Sequence, residues 1–181
     1  MAKLLKWPLL SIAALAVVVS GWLYVSREGA YETPESLCGI ATDPELTGAV
    51  LPAGGEIEVR NPRVKSSADM LCRVDIDGQS ALGIDVFSFE YVSQSLREWY
   101  DAAPTTFGFR VEEEVSVAGD EALLGSNGSL IRAHCPGVGP EAVLEINIWR
   151  RDAVQVSEEG RRAMADFTAA FMASAKDTYG C

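Results

Sequence analysis

The chain has 181 residues, 26 acidic against 15 basic side chains, a net charge of −11 with its single histidine neutral and a pI near 4.5. Lys3, Lys6 and Arg27 are the basic residues of the amino-terminal stretch, so 12 lysines and arginines stand against all 26 carboxylates in the rest, a balance near −14. Such a body repels nucleic acid and has no polybasic patch for anionic lipid, and its length allows one domain with a core of its own beside a tether.

The first element is apolar. Leu9 to Val25 contains no charged residue and, counted from Trp7, approaches the length that crosses a bilayer. Lys3 and Lys6 precede it, and Trp7, Trp22 and Tyr24 fall where aromatic rings favour the two interfaces. Residues 1–25 are therefore expected to form a transmembrane signal anchor, with 26–36 as a polar linker and 37–181 as an extracytoplasmic domain. A cleaved signal peptide is the rival, because Val18, Val19 and Ser20 offer a tolerable cleavage site. Both readings place the remainder outside the cell membrane.

Four cysteines follow: Cys38, Cys72, Cys135 and Cys181. Lipid attachment at Cys38 would need small residues and the signal core directly before it, whereas Glu35, Ser36 and Leu37 precede it. A nucleophilic cysteine needs a nearby base, and His134, the only histidine, is the strand neighbour of Cys135 and points to the opposite face. An even count outside the membrane reads as two disulfides with three possible connectivities. Cys38 with Cys72 and Cys135 with Cys181 is favoured, the second bridge pinning a terminal helix to the sheet. No Cys-x-x-Cys spacing points to a metal, and no cofactor is expected.

In chain order, 38–52 reads as a short helix capped by Thr42 or Asp43, with Pro44 in its first turn. Ile57 and Val59 alternate with charged neighbours in a strand over 56–61. Residues 70–89 read as a hairpin turning at Asp77 to Ser80, with Cys72, Val74 and Ile76 on its covered face. Helical spacing through Tyr91, Leu96, Trp99 and Tyr100 predicts a helix over 90–103, ended by Pro104. A strand within 109–119 follows, then two strands over 121–135 joined by a Ser-Asn-Gly turn, which also formally matches a glycosylation acceptor at Asn127. After a turn at 137–141, the run 142–151 sets Leu144, Ile146 and Ile148 against Glu145, Asn147 and Trp149. The last helix, 157–181, has Ser157 as cap, Glu158 and Glu159 in its first turn, and Met164, Phe167, Phe171 and Ala175 as its buried stripe. The order is α+β: a mostly antiparallel sheet packed with helices, an α/β/α-like sandwich after one amino-terminal transmembrane helix.

A tether, a cysteine opening "CGIATDPELTGAVL", a second cysteine in "LCRVDI", a "VAGDEAL" stretch and a long alanine-rich final helix together resemble an actinobacterial family of secreted proteins and lipoproteins of unknown function. That family is similar to the extracellular sensor domain of the kinase PknH and to LpqN-type lipoproteins. The resemblance covers residues 38–181 in the order of elements. It implies a disulfide-held sandwich displayed outside the membrane, with a binding or sensing role. This chain departs from it in lacking the lipoprotein cysteine and any kinase.

Candidate sites are few. Asp75 to Gly78 begins like a calcium loop, but Val86 stands where the closing carboxylate belongs, so a hairpin turn is expected. Glu112 to Glu114 reads as a solvated edge that discourages strand pairing. Trp149 lies on the face away from Leu144, Ile146 and Ile148, so with Tyr100, and with His134 on its own strand face, it offers a possible ligand surface. The leading expectation is a non-catalytic cell-surface module of binding or sensing type, its partners the membrane and an envelope ligand or membrane protein. An envelope-directed hydrolase and a structural subunit of a membrane complex are the alternatives. A pocket with convergent polar groups would favour ligand binding or catalysis, and an exposed apolar patch without one would favour the structural role.

Overall fold

The computed structural model describes residues 31–62, 68–151 and 157–181. The expected anchor and residues 26–30 of the expected linker lie outside the described residues, and among the described ones no helix is long and apolar enough to cross a membrane.

The first element among the described residues is a small hairpin, β1 (Ser36–Leu37) and β2 (Ile40–Ala41). Cys38 and Gly39 turn it, both with positive φ, which the sequence reading placed inside a helix. Helix α1 (Pro44–Val50) follows, with the Asp43 carboxylate accepting from the backbone N–H groups of Glu45 and Leu46. Strands β3 (Ile57–Arg60), β4 (Met70–Ile76) and β5 (Gln79–Phe89) form one antiparallel meander. Its β4–β5 turn is the two residues Asp77 and Gly78, both left-handed as a tight hairpin requires. The Asp77 carboxylate accepts from Gly55 and Glu56 N–H and so clamps the loop before β3.

Helix α2 (Leu96–Ala102) is shorter than the helix expected over 90–103. Ser95 is the reason: its side chain accepts from Glu98 N–H while the Glu98 carboxylate accepts from Ser95 N–H, a reciprocal cap that fixes the start there. Tyr91 to Gln94 are thereby left as a loop. A second meander follows, β6 (Glu113–Val117), β7 (Asp120–Gly125), β8 (Gly128–His134) and β9 (Val143–Arg150). Strand β9 then pairs antiparallel with β5, which welds the two meanders into one seven-stranded sheet ordered β3-β4-β5-β9-β8-β7-β6. Helix α3 (Glu158–Tyr179) closes the chain.

The fold is thus α+β, with a wholly antiparallel sheet and three helices among the described residues. Helices α1 and α3 and the β1–β2 hairpin cover one face, where Cys72, Val74, Ile84, Ile131, Ile146 and Ile148 meet Met164, Phe167, Phe171 and Ala175. Phe167 and Phe171 are fully buried, and each contributes about 2–3 kcal/mol by leaving water. Inside this layer the Ser129 and Thr168 hydroxyls meet at 2.7 Å. Thr168 spends its proton on the Met164 carbonyl, so Ser129 is the donor to Thr168.

Two disulfides join Cys38 to Cys72 and Cys135 to Cys181, the connectivity favoured above. The second holds the end of α3 against the β8–β9 turn. Arg161 to Glu112 at 2.9 Å and Lys176 to Asp120 at 2.6 Å tie the same helix to the β6–β7 side of the sheet. Glu112 is therefore not part of a solvated edge. Its carboxylate accepts from Ser126 N–H and hydroxyl as well as from Arg161, while Glu113 and Glu114 stay exposed as expected.

Candidate functional site

The second face of the sheet carries the polar chemistry. Direct cross-strand partners share a face, so β9 brings Glu145 between Phe87 of β5 and Arg132 of β8, with Glu121 of β7 beyond. One layer away along the strands, Asn147 lies between Asp85 and Leu130, and Trp149 between Gly83 and Gly128. Helix α2 and the segment after it cover the β7–β8 part of this face, where Leu96, Tyr100, Phe107 and Phe109 pack on Leu123 and Leu130.

That cover turns an alternating strand into a buried ion pair. Glu145 is 0 % exposed and Arg132 8 %. The Arg132 guanidinium donates through Nε to Glu145 Oε1 and through Nη1 to the Gln94 carbonyl at 2.8 Å, with Glu121 Oε2 at 3.9 Å from Nη1. Glu145 Oε2 and Arg132 Nη2 have no hydrogen-bond partner among the described residues. A buried polar atom left this way costs about 1–3 kcal/mol. Burial pushes the Glu145 carboxyl up to about 7, against the opposing pull of Arg132.

Above Glu145 is a cleft of about 380 Å³. Its walls are Phe89, at the end of β5, and Trp99, on the first turns of α2, whose ring centroids are 5.5 Å apart at a steep angle. Phe87 stacks behind Phe89 at 6.1 Å and meets Trp99 edge-on at 5.9 Å, fixing both walls. The loop freed by the Ser95 cap supplies the rim, with Ser93, Gln94 and a Tyr91 that is 62 % exposed, and Glu145 forms the floor. Arg132 holds that rim to the sheet through the Gln94 carbonyl, so one side chain orients both the floor and the lip.

The residues singled out from the sequence lie elsewhere. Tyr100 is buried in the α2 cluster: its ring packs on Phe107 and Phe109, and its hydroxyl donates to the Phe109 carbonyl at 2.8 Å. Trp149 is half-buried over Gly83, where a Cβ would run into its indole ring, with Gly108 beside it. The Arg73 guanidinium lies 5.1 Å above that ring and pairs with Asp85 at 2.7 Å. His134 is exposed at the end of β8, in register with Val143, which places it roughly 20 Å along the strands from the Trp149 layer. The three are thus on one face of the sheet but at separate places on it.

Glu145, Arg132, Phe89 and Trp99 were not assembled from the sequence, although one signal was present. A hairpin centred on Val138 and Gly139, in the turn that was recognised, puts Arg132 directly opposite Glu145. The burial of that pair depends on α2 lying across them, which strand alternation does not encode. Among the described residues no three histidine, cysteine or acidic side chains gather as a metal site. Comparison of the chain with protein-family models, curated proteins and solved structures finds no match.

Proposed function

We propose that this chain is a membrane-anchored, extracytoplasmic domain of non-catalytic binding or sensing type, whose ligand site is the aromatic cleft above Glu145. The observation that carries this is an aromatic-walled cleft lined by Glu145, a buried carboxylate whose Oε2 has no hydrogen-bond partner among the described residues. A fold gains nothing from such an atom, whereas a ligand site does: it supplies a field or a hydrogen bond that only the occupant uses. The anchor rests on the uncharged run from Leu9 to Val25, and the outer location on that run together with two disulfides that use every cysteine. The resemblance to sensor domains and surface lipoproteins belongs to the same proposal.

Binding is favoured over hydrolysis by the composition of the cleft. Glu145 is the one carboxylate among the described residues lining it, and the neighbouring Glu121 reaches the far side of Arg132 instead. Paired-carboxylate hydrolysis needs two acids facing one substrate.

The test is nuclear magnetic resonance mapping of small ring compounds on the full chain in neutral detergent, with methyl β-glucoside, benzamide and benzylamine in the panel. Shifts are expected to concentrate at the Trp99 indole N–H and the Ser93 and Gln94 amides. Ser93→Trp, on the exposed rim, is expected to plug the cleft and remove them without lowering the unfolding temperature. Shifts spread over other surfaces, or unchanged by the plug, would overturn the assignment.

A further inference from the structure

We infer that the cleft takes an organic cation, a quaternary ammonium or protonated amine, held over Phe89 and Trp99 above the Glu145 carboxylate. This rests on the cleft being the ligand site and adds its ligand class.

Five observations converge on positive charge. The walls are aromatic, with Tyr91 at the mouth, and aromatic faces present negative charge to a cation. Glu145 lines the cleft and keeps a buried Oε2 that Arg132 does not use, since Nε goes to Oε1 and Nη1 to Gln94, so its charge acts on an occupant as a field. Arg132, Glu145 and Glu121 together carry one net negative charge when all are ionised. No lysine or arginine is among the described residues lining the cleft, so an anion would meet aromatic quadrupoles and a carboxylate before it met Arg132. The acidic balance of the body draws in the same class of ligand from solution.

The ligand would be coupled to a proton. The charged groups that face Glu145 are Arg132 from β8 and Glu121 from β7, while β5 presents Phe87 and the rim presents Gln94, neither of which titrates. Burial holds the carboxyl near 7 in the empty cleft, so a large share of it is protonated at neutral pH. A cation within about 4–6 Å favours the ionised form, and its arrival therefore expels that proton to solvent.

Three probes of one shape and different charge test this by isothermal titration calorimetry on the full chain in neutral detergent: choline, 3,3-dimethylbutan-1-ol and 3,3-dimethylbutanoate. At pH 8 choline is expected to bind about tenfold or more tighter than the alcohol, and the anion to show no binding. Choline affinity should fall by up to about tenfold per pH unit below 7, with up to about one proton released per ligand, read from buffers of different ionisation enthalpy. Glu145→Gln should remove the pH dependence and bring choline within about threefold of the alcohol. Proton release from the wild-type chain decides the matter even if that variant fails to fold. Equal binding of choline and the alcohol, both blocked by Ser93→Trp, would overturn the cation and keep the cleft as a neutral site. No binding of any probe, with ring compounds still mapping to Trp99 and Gln94, would likewise overturn the cation alone.

Discussion

Glu145→Gln is expected to stabilise the domain, and only above acidic pH. An acid whose folded value is raised holds its proton in the native state over a window where the unfolded chain has lost it. Native stability therefore falls as pH rises through that window, here from the ordinary 4.5 to about 7, and is flat above it. The interval corresponds to about 3 kcal/mol. Glutamine imitates the protonated acid in shape and charge, and the interaction with Arg132 is already contained in the shifted value. Urea unfolding of both chains followed by near-ultraviolet circular dichroism, at half-unit steps from pH 4 to 8, isolates the difference because every other group is shared. The gap is expected to grow from a few tenths of a kcal/mol at pH 4 to about 3 kcal/mol at pH 8, with the variant the more stable. A wild-type chain that is the more stable at pH 8 would refute the reasoning, because it would make Arg132 and Glu145 a net stabilising salt bridge rather than an undercompensated carboxylate.

Glu112 has the opposite sign. Burial raises its carboxyl, but hydrogen bonds from Ser126 and the Arg161 guanidinium outweigh that and hold it below the ordinary range. Glu112→Gln should cost about 1–2 kcal/mol at pH 7 in chemical denaturation, and the difference should vanish in acid as the wild-type carboxylate protonates. Replacing Cys135 and Cys181 together by serine frees a span of 46 residues and is expected to cost about 4 kcal/mol by loop entropy, read as a lower unfolding temperature without reductant, with Cys38–Cys72 still closed in both chains. Gly83→Ala should drive a methyl into the Trp149 indole and cost about 1–3 kcal/mol, with a shifted Trp149 indole resonance marking where the strain is taken up.

The elements were legible where one residue decided the matter. Ser157 followed by two glutamates marks the start of α3, Asp77 and Gly78 make a turn whichever strands they join, and Cys72 and Cys135 were placed on the covered face by alternation alone. Tyr91 misled because its spacing to Trp99 is helical, while Ser95 and Glu98 cap the helix so that it starts at Leu96, five residues after Tyr91. The small hairpin around Cys38 was hidden because strands of two residues carry no period.

The cleft was the least legible part, and for a specific reason. It exists because β9, last of its meander, inserts beside β5, first met some sixty residues earlier, and because α2 then lies over the same face. Trp99 reads as part of a helix's apolar spacing and Glu145 as the polar side of a strand, and each description is locally correct. Only the long-range pairing of β5 with β9 brings Phe87 next to Glu145. Trp149 stood out in the sequence for facing away from its apolar neighbours, yet Gly83 and Gly108 make room for it and Arg73 lies over it. It is seated rather than offered to solvent.

The most direct measurement is the titration of the Glu145 side-chain carboxyl, followed by its ¹³C resonance in selectively labelled full chain, with Glu145→Gln to assign the signal. A midpoint near 7 is expected, moving down when choline occupies the cleft. A midpoint at or below the ordinary glutamate value, unmoved by choline, would mean that Arg132 fully satisfies the carboxylate and that the floor of the cleft holds nothing in reserve for a ligand.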